Sequence, residues 1–180
     1  LGTTKAQETE KKFGIEFNAG GSYAIKKIED KKLNPGFGFE GSVHYNFIKN
    51  LGVYAGWGWN RFGADDSFAG KDVCFEETGY ILGLQFQNQI SNSSFSYFAK
   101  GGALYSHIEL ENSNGDIILD TKHGFGYQAV VGVEYKLNSK WSLTPSIKLN
   151  SLKREADYEK ITRDILHQYL SARIGIVKKF

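Results

Sequence analysis

Four histidines, a scatter of carboxylates and amines, and one cysteine are the side chains of this 180-residue chain that could do chemistry. His107, His123 and His167 have Ser106, Glu109 and Asp120 as neighbours in sequence or in adjoining segments. General-base catalysis needs a histidine within hydrogen-bond reach of a nucleophile and an orienting acid. No local Ser/His/acid motif joins these residues, so they read as surface histidines on polar loops, with Ser106, Glu109 and Asp120 as ordinary loop-edge residues. Cys74 has no cysteine to pair with, and no Cys/His spacing resembles a zinc site. No catalytic residue, cofactor or metal is expected. A second set comprises Glu16, Glu40, Glu134, Lys100, Lys148 and Arg173, with His44, Asn46, Gln85 and Gln128. If the fold collects these residues, opposite charges in that number should pair.

The elements that position them are strands. A transmembrane helix needs roughly 20 consecutive apolar residues, and every apolar run here is interrupted by charged, polar or glycine residues. The 21 Gly, 14% aromatic content and only 2 Pro suit a sheet protein with tight turns. A net charge of +2 from nearly balanced signs indicates neither a nucleic-acid footprint nor a polybasic anchor. Eight segments alternate at period two, near 13–25, 36–48, 51–62, 74–88, 93–108, 121–138, 141–152 and 166–180. Short links around Lys49-Asn50, Gln89–Ser93 and Asn138–Lys140 alternate with longer polar stretches at 26–35, 63–73, 109–120 and 153–165. That asymmetry belongs to an all-β, eight-stranded antiparallel up-and-down transmembrane barrel with short periplasmic turns, longer outer loops and both termini in the periplasm. The barrel is expected over 13–180. Residues 1–12 are expected to be a signal-peptide remnant and a periplasmic N-terminal segment, with small residues around Thr4-Lys5-Ala6 where a cleavage motif wants them.

Assigning a face to each strand tests the idea, because Lys or Arg on the lipid side at mid-depth costs about 2–4 kcal/mol. Phe13, Ile15 and Phe17 share one face of the first strand, with Glu16 and Asn18 on the other. Phe37, Val43 and Phe47 oppose Glu40, His44 and Asn46 in the second, while the third offers Leu51, Val53, Ala55, Trp57 and Trp59 outward. The fourth is phased by Tyr80, Leu82, Leu84 and Phe86 outward, and the fifth by turning Lys100 inward. The sixth sets Phe125, Tyr127, Val131 and Tyr135 against Gln128 and Glu134, the seventh presents Trp141, Leu143, Ile147 and Leu149, and the eighth sets Leu170, Ile174 and Ile176 against Arg173. Aromatics then fall at two levels with aliphatics between, as two wet interfaces select. Pro145 is expected to sit in a bulge, since a closed barrel has no edge to excuse its missing donor. A soluble lipocalin-like barrel would turn its apolar face inward, and its usual Gly-x-Trp on the first strand is absent, the earliest tryptophan being Trp57.

With eight strands, long outer loops and a terminal Phe180, residues 13–180 resemble the small outer-membrane barrel superfamily that includes the OmpA transmembrane domain and OmpX-like proteins. The closing strand Leu170–Phe180 is similar to the alternating, Phe-ended signal read by the barrel-assembly machinery, with Lys178 departing from its usual apolar position. The resemblance implies residence in the bacterial outer membrane among lipids and lipopolysaccharide. It does not name an activity, since members include anchors, adhesins, lipid-modifying enzymes and subunits of envelope assemblies.

An eight-stranded barrel is just wide enough for side chains to fill, so Glu16, Glu40, His44, Gln85, Lys100, Gln128, Glu134, Lys148 and Arg173 are expected to form a hydrogen-bonded lumen plug. Ala99, Gly101 and Ala103 form a smooth lipid-facing row where a partner could approach closely. The charge runs Lys26–Lys32 and Lys153–Lys160 read as solvated faces able to contact lipopolysaccharide phosphates, a surface or a neighbouring protein. The expected role is structural or interactive and non-enzymatic, within a larger envelope complex if a protein partner exists. A narrow porin-like channel is the main competitor, and an outer-leaflet lipid-modifying enzyme comes third.

Overall fold

The computed structural model describes residues 12–158 and 161–180. The leader-remnant reading of the N-terminal segment falls almost wholly outside the described residues, as do Glu159 and Lys160. Among the described residues, period-two sequence produces nine strands: β1 (Phe13–Ala24), β2 (Gly36–Ile48), β3 (Leu51–Ser67), β4 (Gly70–Gln89), β5 (Phe95–Glu111), β6 (Ile117–Asp120), β7 (Gly124–Lys136), β8 (Trp141–Tyr158) and β9 (Ile161–Lys179). All pairings are antiparallel and join sequence neighbours, except that β5 pairs directly with β7 and that β1 pairs with β9. The last of these closes a ring of eight strands, β4-β3-β2-β1-β9-β8-β7-β5 and back to β4. The ninth strand, β6, lies off the end of β5 and outside the ring.

The face assignments follow the ring without a slip. Leu82, Phe125 and Ile174 are 66%, 76% and 69% exposed on the outside, whereas Glu16, Glu40, Lys148 and Arg173 are buried inside. Around the outside, every outward position between the two aromatic levels is uncharged, from Phe13 to Tyr23 on β1 through Leu170 to Ile176 on β9. Charge appears outside toward the ends of this band, as at Arg61, Glu76 and Lys153 at one end and at Lys178, level with Trp141 and Phe180, at the other. Lys178 leaves the apolar pattern because its ammonium lies 5.5 Å from the Trp141 ring centroid and 5.1 Å from that of Phe180. Its stem covers apolar surface while its head stays between two interfacial rings.

Three expectations about connections are corrected. The stretch 63–73 and the described residues of 153–165 are strand and tight turn, because β3 and β4 continue to Phe68-Ala69 and Tyr158 still pairs with Ile161 at the end of β8 and β9. In 109–120, β5 runs on to Glu111 and β6 folds back on it. Strands of 17 to 20 residues are nearly twice the roughly 9–11 a tilted strand needs to cross a bilayer, so the barrel projects well past its upper aromatic level. Pro145 needs no bulge. The β7–β8 register is the same on both sides of it, from Gly132↔Ser146 to Tyr135↔Leu143, and only the two rungs between are missing.

The projecting part has a core of its own. Phe62, Val73, Phe75, Ile108, Leu110, Leu152 and Ile165 fill its interior, and Ile28 descends onto them. Ile28 is placed by a two-residue turn in which Glu29 and Asp30 take φ of 47° and 62°, with paired bonds between Ile28 and Lys31 at 2.9 and 3.0 Å. The Lys26–Lys32 run therefore carries one buried apolar anchor. Lys31 clips to Asp66, and the Lys31 ammonium holds the Asp66 carboxyl below its usual range. A lowered carboxylate pKa contributes stability at neutral pH that is lost as the pH falls through the lowered value.

At the depth of the polar interior, glycines make room for a large side chain. Tyr54 crosses toward β4 and β5, where a Cβ on Gly83 would lie 2.7 Å from its ring and 2.3 Å from the Gly101 carbonyl oxygen, and one on Gly102 would lie 2.7 Å from its hydroxyl. Gly83→Leu is expected to abolish the compact, heat-modifiable band in unboiled gels of the refolded protein, while Gly101→Leu, whose Cβ meets nothing, leaves it intact. Asp66→Asn is expected to speed tryptic cleavage at Lys26 and Lys27 severalfold without affecting that band.

Candidate functional site in the barrel interior

The even-numbered positions of β1, β2, β3, β5, β7 and β8 and the odd-numbered ones of β4 and β9 meet on the barrel axis. Lys100 reaches across from β5 to Glu16 on β1, both nearly inaccessible, and Glu16 also accepts from Thr144 Oγ1 at 3.0 Å. Lys148 on β8 pairs with Glu40 on β2. Gln128 donates to Glu40 at 3.0 Å and accepts from the Tyr54 hydroxyl at 3.2 Å, so four strands share one polar chain. Nearer the short-turn end, Glu134 accepts from Ser142 at 2.9 Å, from Gln87 at 2.7 Å and from Lys179 at both oxygens. Arg173 faces no carboxylate within ion-pair distance among the described residues. Its guanidinium donates to the Gly20 carbonyl at 2.8 Å, to Ser22 Oγ at 3.1 Å, and to the Gly38 carbonyl and Asn60 Oδ1. His44 packs its ring over Gly14, and its Nδ1 and Gln85 Oε1 have no hydrogen-bond partner among the described residues. Asn46 lies further out, half-buried at the mouth of a vestibule of about 960 Å³ at the short-turn end.

Several interior residues escaped the sequence. Arg154, read as part of a solvated charge run, is buried and donates to the Ser106 carbonyl and hydroxyl at 2.8 Å and to the Gly124 carbonyl at 2.6 Å, tying β8 to β5 and β7. Ser106 is therefore no loop-edge residue but fully enclosed. Glu77 accepts from the Tyr169 hydroxyl, which in turn accepts from Asn150 at 2.6 Å. His167 is not on the surface. It is buried edge-on to Phe62 with ring centroids 4.8 Å apart. The signal was continued alternation, Leu152, Arg154 and Ala156 inward against Lys153, Glu155 and Asp157 outward, hidden because the outward set is charged.

His107 and His123 do lie outside, stacked with centroids 4.3 Å apart, and His107 Nδ1 is 2.7 Å from Asp120. Ser106 and His107 point to opposite sides of β5, so no hydroxyl from that serine reaches that imidazole. Ala99, Gly101 and Ala103 form an exposed outer row. Phe180 packs on Phe13 at 5.8 Å and donates its amide to the Phe13 carbonyl at 2.9 Å, continuing the β1–β9 seam.

A closed ring whose outside is apolar and whose inside is charged is what a family-model match to the outer membrane protein beta-barrel domain over residues 2–169 describes. The chain belongs to that family. It is a protein of the bacterial outer membrane, and its eight-stranded ring is a fold it shares with solved outer-membrane barrels. Neisserial surface protein A superposes with a TM-score of 0.67 at 13% identity, over 93% of this chain and 97% of that one. The outer membrane protein OprG from Pseudomonas aeruginosa gives 0.63 at 13% identity over 96% and 98%. Ail, the attachment invasion locus protein of Yersinia pestis, solved with the heparin analogue sucrose octasulfate, gives 0.55 at 15% over 94% and 99%. No protein of curated function matches the chain.

In this outer-membrane barrel the interior pairs can be tested by subtraction. Lys100→Met strands Glu16 in a dry interior and is expected to cost about 3–5 kcal/mol. The double variant Glu16→Leu/Lys100→Met is expected to recover most of that, both measured by urea unfolding of the lipid-inserted barrel.

Proposed function

We propose that this protein acts as a closed outer-membrane scaffold, with a structural or surface-interaction role and no transport or enzymatic activity, its short-turn end and termini toward the periplasm. The observation that carries the reading is the double obstruction of the lumen. The Glu16–Lys100 and Glu40–Lys148 pairs occupy it at mid-depth, and Phe62, Phe75, Leu110 and Ile165 fill it above. An ion would have to break buried pairs and then cross a core dominated by apolar side chains. The vestibule at the short-turn end opens on one side of this plug only, so it is a cup rather than a path.

The non-enzymatic part rests on the histidines. His44 and His167 are enclosed, and His107 and His123 have no serine, threonine or cysteine hydrogen-bonded to them among the described residues. The interaction part rests on the projecting end, a rigid sheet with its own core that carries Lys153–Asp164, Arg163–Glu29 and Arg61–Glu76 pairs on its surface. Such a surface suits contact with lipopolysaccharide or an envelope protein, and the smooth row at Ala99, Gly101 and Ala103 suits close approach of a partner within the membrane.

Planar-bilayer recording on the purified, refolded barrel tests the reading. No steady single-channel steps are expected from the wild type or from Asp66→Asn, and regular steps of constant size from the wild type would refute the closed scaffold.

A further inference from the structure

We propose that His107, Glu109 and Asp120 form a binding site for a divalent transition-metal ion of the zinc class on the outer wall of the barrel, just above its upper aromatic level. The three residues are brought together by the pleat and by β6. His107 and Glu109 are two apart on β5 and so share its outward face, and β6 folds back in register to set Asp120 directly opposite Glu109. Backbone bonds fix this corner: Ile108 donates to Thr121 Oγ1 at 2.8 Å, and the Thr121 amide donates to the Ile108 carbonyl at 2.9 Å. One ligand atom from each of the three residues lies within 4.8 Å of the others, with His107 Nδ1 2.7 Å from Asp120 Oδ1 and 3.9 Å from Glu109 Oε1. Donors around a tetrahedral zinc ion bonded at about 2.0–2.2 Å stand about 3.4 Å apart, so side-chain rotations alone, with no movement of the strands, set the three around one ion.

The donor set decides the class of ion. Calcium and magnesium take oxygen ligands in greater number, whereas one imidazole with two carboxylates and an open fourth position suits zinc and its neighbours. Solvent reaches the site, since the Asp120 side chain is 52% exposed while that of His107 is 15% exposed. A second imidazole packs against the site. His123 is stacked on His107, with ring centroids 4.3 Å apart, and lies 5.3 Å from the Tyr105 ring. His123 covers the face of the ligand and helps hold its orientation.

The test is calorimetric titration of the chelator-treated, detergent-folded full chain with zinc chloride, with calcium chloride as comparison. One equivalent of zinc is expected to bind, with affinity falling at least tenfold in both His107→Ala and Asp120→Asn, each checked for an unchanged heat-modifiable band. Imidazole nitrogen spectra of the wild type give the same answer without substitution, because zinc should shift His107 and leave the enclosed His44 and His167 unmoved. Absence of saturable zinc binding overturns the proposal, as does zinc binding unaffected by both substitutions, or calcium binding of equal strength that survives His107→Ala. Any of these outcomes leaves a plain histidine–aspartate hydrogen bond at that corner.

Discussion

The pleat forces neighbouring residues of a strand to opposite sides, and in a closed ring of eight strands those sides are two different solvents. Outside, an unpaired charge at mid-depth is costly because nothing there can solvate it. Inside, the ring is narrow, and buried polar side chains are satisfied by groups on the surrounding strands, as Glu16 is by Lys100 and Arg173 is by the Gly20 and Gly38 carbonyls. Both demands fall on the same alternation, so each strand has apolar residues in one phase and polar partners in the other. The closing β1–β9 pair matters for the same reason: an open edge would leave backbone donors and acceptors in lipid with no partner.

Two interiors follow from this constraint. Within the membrane depth the interior is a set of cross-strand ion pairs and amide bridges, and its large residues are accommodated by glycines opposite, as Tyr54 is by Gly83 and Gly102. Beyond the upper aromatic level the outside of the barrel becomes wet, the polarity of the wall inverts, and the inside becomes an ordinary apolar core around Phe62, Phe75 and Leu110. Arg154 sits at the join, where its guanidinium satisfies carbonyls of β5 and β7 that would otherwise face that core. The same inversion builds an outward-facing histidine–carboxylate corner at His107 just above the lipid belt.

The membrane-depth strands were legible because one phase was almost wholly apolar, and the register of Phe125–Leu137 against Gln128 and Glu134 could be read directly. The pairing of Lys100 with Glu16 rather than with another acid was not legible, because it depends on which strands face each other across the axis. The projecting hairpins are not legible as strands, for a physical reason. Above the membrane both phases carry charge, as in Lys153-Arg154-Glu155, and the period is visible only to a reader who already knows that Leu152 and Ala156 point inward. The enclosed places of His167 and Ser106 are hidden in the sequence for the same reason. Pro145 is tolerated without a bulge, since a strand of this length loses two rungs on one side and keeps its full ladder on the other.

Collision-accessibility measurements by electron paramagnetic resonance test the two-solvent account most directly. Single spin labels would be placed, in a Cys74→Ser background and in lipid bilayers, at Leu82, Val131 and Ile174 on the outside and at Asp157 above the upper aromatic level. The account predicts that the first three labels collide with oxygen and are shielded from a polar nickel complex, while Asp157 shows the reverse. Free access of the nickel complex to Leu82, Val131 and Ile174 would contradict it, because the apolar face would then be standing in water.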